Sequence, residues 1–201
     1  MDTLDIRELE AVTDDLLLPW LDLFETAFPP PQRVLVSAIL SILRDRAPGL
    51  GQSHHLLAAS EPPGQFVGMA WYELWPKDVA LLGYIAVVPE RRGQGIGTRL
   101  YREIVKRISA RVLFLEMEMP EEATSEQERQ LALRRIQFYR RHGALRLTGI
   151  HYLQMVGSHQ PLPPMHLMVH PFEPIDALVA FELAQGVFGD LVCRVGLLAL
   201  E

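Results

Sequence analysis

A chain of 201 residues with 25 acidic and 19 basic side chains carries a formal net charge of −6, and 49% of it is apolar. Such a length suits one domain or one domain with an appendage. The apolar share excludes a disordered or fibrous polymer, and the acidic balance argues against nucleic acid, whose phosphates need a basic field.

The start, "MDTLDIRELEAV", lacks the basic and apolar segments of a secretory signal, and no apolar run reaches the roughly 18 residues of a membrane helix. The single cysteine, Cys193, rules out an intrachain disulfide framework and reads as a structural thiol in a reducing compartment. A soluble cytoplasmic protein is expected, with no membrane partner.

"LDIRELEAV" alternates as a first strand, and Thr13, Asp14 and Asp15 offer acceptors for a helix running to about Phe28. A second helix, "VSAILSILRDR", places Val36, Ile39, Leu40 and Leu43 on one face before Pro48-Gly49. "HLLAASE" and "QFVGMAWYELW", separated by "PPG", read as a hairpin, and "VALLGYIAVV" as a further strand. From Ile96, the recurrence of Leu100, Ile104 and Ile108 marks a helix.

"RVLFLEME" is next a strand whose period of two puts Glu116 and Glu118 on one side. Ser125 and Glu128 form a capping-box pattern for a helix that ends at Gly143. "ALRLTGIHYLQMV" and "MHLMVHPF" are strands around "GSHQPLPP", and "PIDALVAFELAQ" is a helix. The last residues are too apolar to hang free in water and are expected to pack on their own domain, or on a second copy. His54-His55 and the pair His166 and His170 lack metal-ligand spacing, so no metal site is expected.

Between the "IAVV" strand and the Ile96 helix lies "RRGQGIG". Strand, glycines and helix start together expose unpaired amides to an anion, with phosphate as the natural ligand. A Walker loop fails, because Thr98-Arg99 follow Gly97 where Lys-Ser/Thr is required. A dinucleotide turn needs Gly-x-Gly-x-x-Gly, and Thr98 fills the third glycine position, although Glu116 lies near where a ribose-binding acid falls. That reading, a dinucleotide-binding oxidoreductase, remains an alternative.

At Arg92, Gly95 and Gly97 the chain resembles the Gcn5-related N-acetyltransferase (GNAT) superfamily, whose pattern is Arg/Gln-x-x-Gly-x-Gly/Ala. The resemblance continues through "LFLEME" to "FYRRHG". It implies a mixed α/β fold over residues 1–156, with helices flanking a mostly antiparallel sheet that splays between two parallel strands, and an extension, 157–201, completing or packing on the same domain. Acetyl-CoA would lie between the strands ending near Val88 and Glu118. Its diphosphate would sit on the amides of Arg92, Gly93, Gln94, Gly95, Ile96, Gly97 and Thr98, and its pantetheine arm along the backbone of Ile85, Ala86 and Val87.

The resemblance also implies chemistry. Tyr139 stands where the family keeps its general acid, and neighbouring Arg135, Arg140 and His142 are expected to favour the ionised phenol. Glu116 is the first candidate for the base, Glu118 the second and Glu73 the third, since Leu81 and Gly83 cannot accept a proton. Two departures stand out: the usual Asn is missing from "MPEEATSEQERQ", and Ala144 replaces an aromatic after Gly143.

The implied activity is transfer of acetyl from acetyl-CoA to a primary amine of a small molecule or peptide, by direct attack in a ternary complex, in a monomer or homodimer. A non-catalytic acyl-CoA-binding regulator is the alternative. Glu116, Glu118, Glu121, Glu122, Glu126 and Glu128 gather on one edge that would draw a cationic amine, although the outer four read more readily as a plain solvated face.

Overall fold

Strand β1 (Asp5–Glu8) pairs antiparallel with β2 (Ser53–Glu61), which pairs antiparallel with β3 (Gln65–Trp75). In the computed structural model, which describes residues 4–45, 52–155 and 161–201, these strands open the first of two units. That unit comprises residues up to Leu74 together with Leu82–Ser109. Its strand order is β1-β2-β3-β4, where β4 spans Val79–Val87 and passes from the second unit into the first after Leu81. Pro48-Gly49, the expected stop of the second helix, lies outside the described residues.

Helices α1 (Leu17–Ala27) and α2 (Val36–Asp45) put Trp20, Phe24 and Ile39 into a core with Leu56, Ala58, Met69 and Trp71. The buried Trp20 indole donates to Leu57 O at 2.9 Å, so its polar edge is not left unsatisfied. Helix α1 starts later than the side-chain acceptors suggested. Its N-cap, Leu16, has no side-chain bond, because Asp14 is held by the Arg7 guanidinium at 2.6 and 2.7 Å while accepting from Leu16 N–H. Pro19 falls in the first turn, where a missing N–H costs nothing.

Helix α3 (Ile96–Arg107) buries Ile96, Leu100, Tyr101 and Ile104. It closes on β3 at Gly68, where a Cβ would stand 3.0 Å from both Ala86 O and Leu100 Cδ1.

The second unit, Trp75–Leu81 with Ala110–Glu201, has the strand order β5-β7-β6-β8. It comprises β5 (Val112–Glu118), α4 (Glu126–Arg141), β6 (Leu145–Met155), β7 (Pro161–Pro171), α5 (Ala177–Phe188) and β8 (Val192–Leu200). The expected domain boundary at 156 falls between β6 and β7, and β7 pairs antiparallel with both β5 and β6. Of the proline-rich "GSHQPLPP", the stretch 157–160 lies outside the described residues.

Phe114, Leu147, Tyr152, Leu167 and Val169 pack under α5 through Ala180, Phe181 and Ala184. Two local signals take a different form here. Ser125 Oγ caps Glu128 N–H at 3.2 Å as expected, but the Glu128 carboxylate accepts chiefly from Thr124 N–H and Oγ, with the Ser125 amide a lesser partner. The final segment forms β8, an edge strand with no clean alternation, in which Val195 and Leu197 are exposed, as is Cys193. Eight strands and five α-helices make the described chain a mixed α/β protein, and no described helix is long and apolar enough to cross a membrane.

The register of β6 is irregular on both edges. Against β8, Thr148 faces Ala199 and Ile150 faces Arg194, so Val195, Gly196, Leu197 and Leu198 crowd opposite Gly149 alone. Gly149 has φ +78°, and a Cβ there would stand 2.6 Å from the Leu197 carbonyl carbon and 3.0 Å from Leu198 N. Backbone, unlike a side-chain end, has nowhere to move. Gly149→Ala is expected to destabilise the chain by about 2 kcal/mol or more, read as a lowered denaturant midpoint with an unchanged slope; wild-type stability would contradict this packing.

Candidate active site

The glycine turn of the first unit is built almost entirely from backbone. After β4, Pro89–Arg91 form one short 3-10 turn, Gly93 and Gly95 take φ +77° and +82°, and α3 begins at Ile96. Those left-handed positions suit glycine. Gly95 is the N-cap and offers no side chain, and the helical ladder starts with Arg99 N–H to Gly95 O at 3.1 Å. The amides of Ile96, Gly97 and Thr98 therefore have no acceptor within the helix. A Cβ on Gly93 or Gly95 would meet nothing within 4 Å, so the space over this backbone is open.

The flanking side chains brace the turn. Arg92 Nε donates to Val87 O at 3.1 Å, Gln94 Nε2 to Glu90 O at 3.3 Å, and Arg91 pairs with Glu61. A rigid, uncapped helix start preceded by glycines has the donor set and dipole that suit a diphosphate. Ile85, Ala86 and Val87 lie partly buried on β4, with the Val87 carbonyl already engaged by Arg92. The three antiparallel strands ahead of this turn are not the βαβ opening of a dinucleotide fold.

The three candidate catalytic groups lie in the second unit, and the two carboxylates have different partners. Glu116 Oε1 accepts from the Tyr152 hydroxyl and Oε2 from Gln154 Nε2 at 2.5 Å, both donors on β6. Glu118 pairs with Arg135 of α4. Arg135 precedes Tyr139 by four residues, which puts the two on one face of that helix. Tyr139 is buried at 5% exposure. Burial drives its phenol well above the ordinary tyrosine range, with Arg135 pulling down and Glu118 pushing up by lesser amounts. The expectation that nearby cations favour an ionised phenol is thus reversed: desolvation outweighs them, and Tyr139 holds its proton.

Glu73, the third candidate base, sits in the first unit beside His54 Nδ1 at 3.4 Å. Of the outer acids, Glu121 meets His166 at 3.2 Å and Glu126 meets Arg129 at 3.5 Å on exposed surface. Where five residues of β6 (148–152) stand against two of β7 (165–166), the strands part around a cavity of about 440 Å³ whose walls include Leu147, Ile150, Tyr152 and Met165. Tyr152 and Gln154 were not singled out in sequence. Their spacing of two on a strand puts them on one face, but nothing local says that this face meets Glu116.

Residues 51–143 match the family model described as Acetyltransferase (GNAT) domain. The matched segment is similar to that domain, and it carries the glycine turn, Glu116, Glu118 and Tyr139. Nearly the whole chain shares its fold with solved structures. A protein described as a GNAT-family acetyltransferase from Bacteroides thetaiotaomicron has a TM-score of 0.69 at 22% identity, covering 92% of this chain and 98% of that one. A GNAT-family acetyltransferase from Elizabethkingia anophelis with acetyl-CoA bound gives 0.55 at 16%, covering 86% and 100%. A ribosomal-protein alanine N-acetyltransferase from Escherichia coli gives 0.57 at 19%, covering 86% and 96%. No curated protein matches the chain.

Burial also raises Tyr152 beyond the ordinary range, helped by the Glu116 charge, and raises Tyr72 to about 12. Phenols with a raised folded pKa contribute stability that is complete below about pH 10 and is lost as pH climbs through the folded value. In an alkaline titration, Tyr72, Tyr139 and Tyr152 are expected to stay protonated at about pH 11 and to ionise together with unfolding. Full ionisation of all five tyrosines in a folded protein at that pH would refute the burial described.

Proposed function

We propose that the protein is an N-acetyltransferase that moves acetyl from acetyl-CoA to a primary amine of a small molecule or peptide. The observation that carries this is the open, uncapped backbone from Gly93 to Thr98 within the GNAT-matched segment. The fit is chemical: braced amides and a helix dipole favour a diphosphate, and the two glycines leave room above them. When bound, acetyl-CoA supplies an activated acetyl thioester. Ile85, Ala86 and Val87 would take its pantetheine arm through their backbone.

The remaining work belongs to side chains. Glu116 accepts the proton that a protonated amine must lose before its nitrogen can form the new amide bond. Tyr139 gives its proton to the sulfur as the carbon–sulfur bond breaks and is reprotonated, through solvent, as the newly bonded nitrogen sheds its second proton, so acetyl-CoA and an ammonium yield amide, free thiol and the one proton that Glu116 passes on to solvent. A neutral buried phenol has the proton this role needs. Glu118 is the second candidate base, committed in this structure to Arg135. The near-complete burial of Tyr139 favours a second reading, an acyl-CoA-binding regulator that has lost transfer, because a phenol packed away can be purely structural.

Coenzyme A is expected to raise the melting temperature and NAD to leave it unchanged, since a ligand held by the folded state stabilises it. Gly95→Val, which forces a branched residue into φ +82°, should abolish that rise. With acetyl-CoA and a panel of primary amines, thiol release should fall about 100-fold in Glu116→Gln and in Tyr139→Phe. Binding of coenzyme A with no turnover on any amine would select the regulator. Stabilisation by NAD alone would overturn both readings.

A further inference from the structure

The C-terminal elements α5 and β8 follow the GNAT-matched residues, and the fold gives them a place beside the candidate base. Tyr152, whose hydroxyl holds Glu116 Oε1, is 2% exposed and reaches the carboxylate from β6. Its backbone stands opposite Val192, the first residue of β8. Its ring lies 4.9 Å from that of Phe188, the last residue of α5, and Phe188 also meets Phe114 of β5 at 5.7 Å. Gln154, two residues on, takes the other carboxylate oxygen.

Both Glu116 oxygens thus receive a donor that carries no charge. Such donors orient a carboxylate without supplying the cation that would compete with an incoming ammonium. A tyrosine hydroxyl on a buried ring has little freedom to swing away, provided the ring itself is walled in. Phe188 and Val192 provide that wall.

We propose that α5 and β8 act as a buttress for the general base: Phe188 and Val192 fix Tyr152, and Tyr152 with Gln154 fixes the Glu116 carboxylate in the orientation used for proton removal. Tyr152, Gln154 and Phe188 are positioning residues, acting through Glu116. The proposal rests on the reading of Glu116 as the base. It gives the extension beyond the family segment a task in the reaction.

The test is a set of double-mutant cycles on kcat, using acetyl-CoA and the amine turned over fastest in the panel. Tyr152→Phe, which removes one hydroxyl and keeps the ring, is expected to lower kcat about tenfold, the loss of one hydrogen bond to a charged group. The KM for acetyl-CoA should stay within about twofold. Gln154→Leu and Phe188→Leu should lower kcat in the same direction, Phe188→Leu less. In the Glu116→Gln background each should change kcat by less than about twofold, because a residue acting through Glu116 has nothing left to orient.

Melting temperatures separate loss of positioning from loss of folding, and the isosteric Tyr152→Phe protects the test if Phe188→Leu proves unstable. Losses that simply multiply with that of Glu116→Gln, or an unchanged kcat in Tyr152→Phe, would overturn the buttress while leaving the base reading intact. Full activity of Glu116→Gln, or no turnover of any amine, would overturn the base reading and the buttress with it.

Discussion

Strand β6 must satisfy two neighbours whose lengths it does not match, and the second unit is arranged around how it does so. Toward β8 the surplus is taken up at Gly149, the one residue type that can lie against a crowded backbone at φ +78°. Toward β7 the mismatch opens a cavity between Leu147 and Leu153. Tyr152, at the end of the stretch that parts from β7, and Gln154, two residues on, both donate to Glu116. Because side chains alternate along a strand, a shift of one residue in this register would have turned both donors to the opposite face.

Two carboxylates of one strand, two residues apart, end in different electrostatic settings. Glu118 is neutralised by a guanidinium on α4 and takes part in the field around Tyr139. Glu116 is held by a phenol and an amide, neither of which carries charge. Tyr139 shows the same logic from the acid side: flanking arginines suggest an ionised phenol, but desolvation is the larger effect and keeps it neutral.

Much of this was legible in the chain because it is local. The glycine spacing, the proline before it and the apolar period after it describe the turn and α3 without any tertiary information, since left-handed backbone and an uncapped helix start are properties of a few consecutive residues. The helix start at Ser125 was equally visible. What misled was competition from outside the segment. Asp14 looked like a cap and is instead drawn to Arg7 across seven residues, and the Glu128 side chain prefers Thr124 to the partner that the capping-box pattern assigns it. The strand β8 was missed because an edge strand with a bulge has no need of alternation: its backbone pairs on one side, and after the buried Val192 the run Cys193 to Leu197 is exposed without a break.

The sequence by itself determined the family resemblance, the mixed α/β class and a backbone site suited to a phosphorylated cosubstrate, all of which depend on short-range spacing. Only the tertiary structure decided which donors hold Glu116, that Tyr139 is buried in its neutral form, and that the last two elements stand behind Tyr152. These depend on strand register and on exclusion of water, and both are set by segments dozens of residues apart whose pairing no local pattern records.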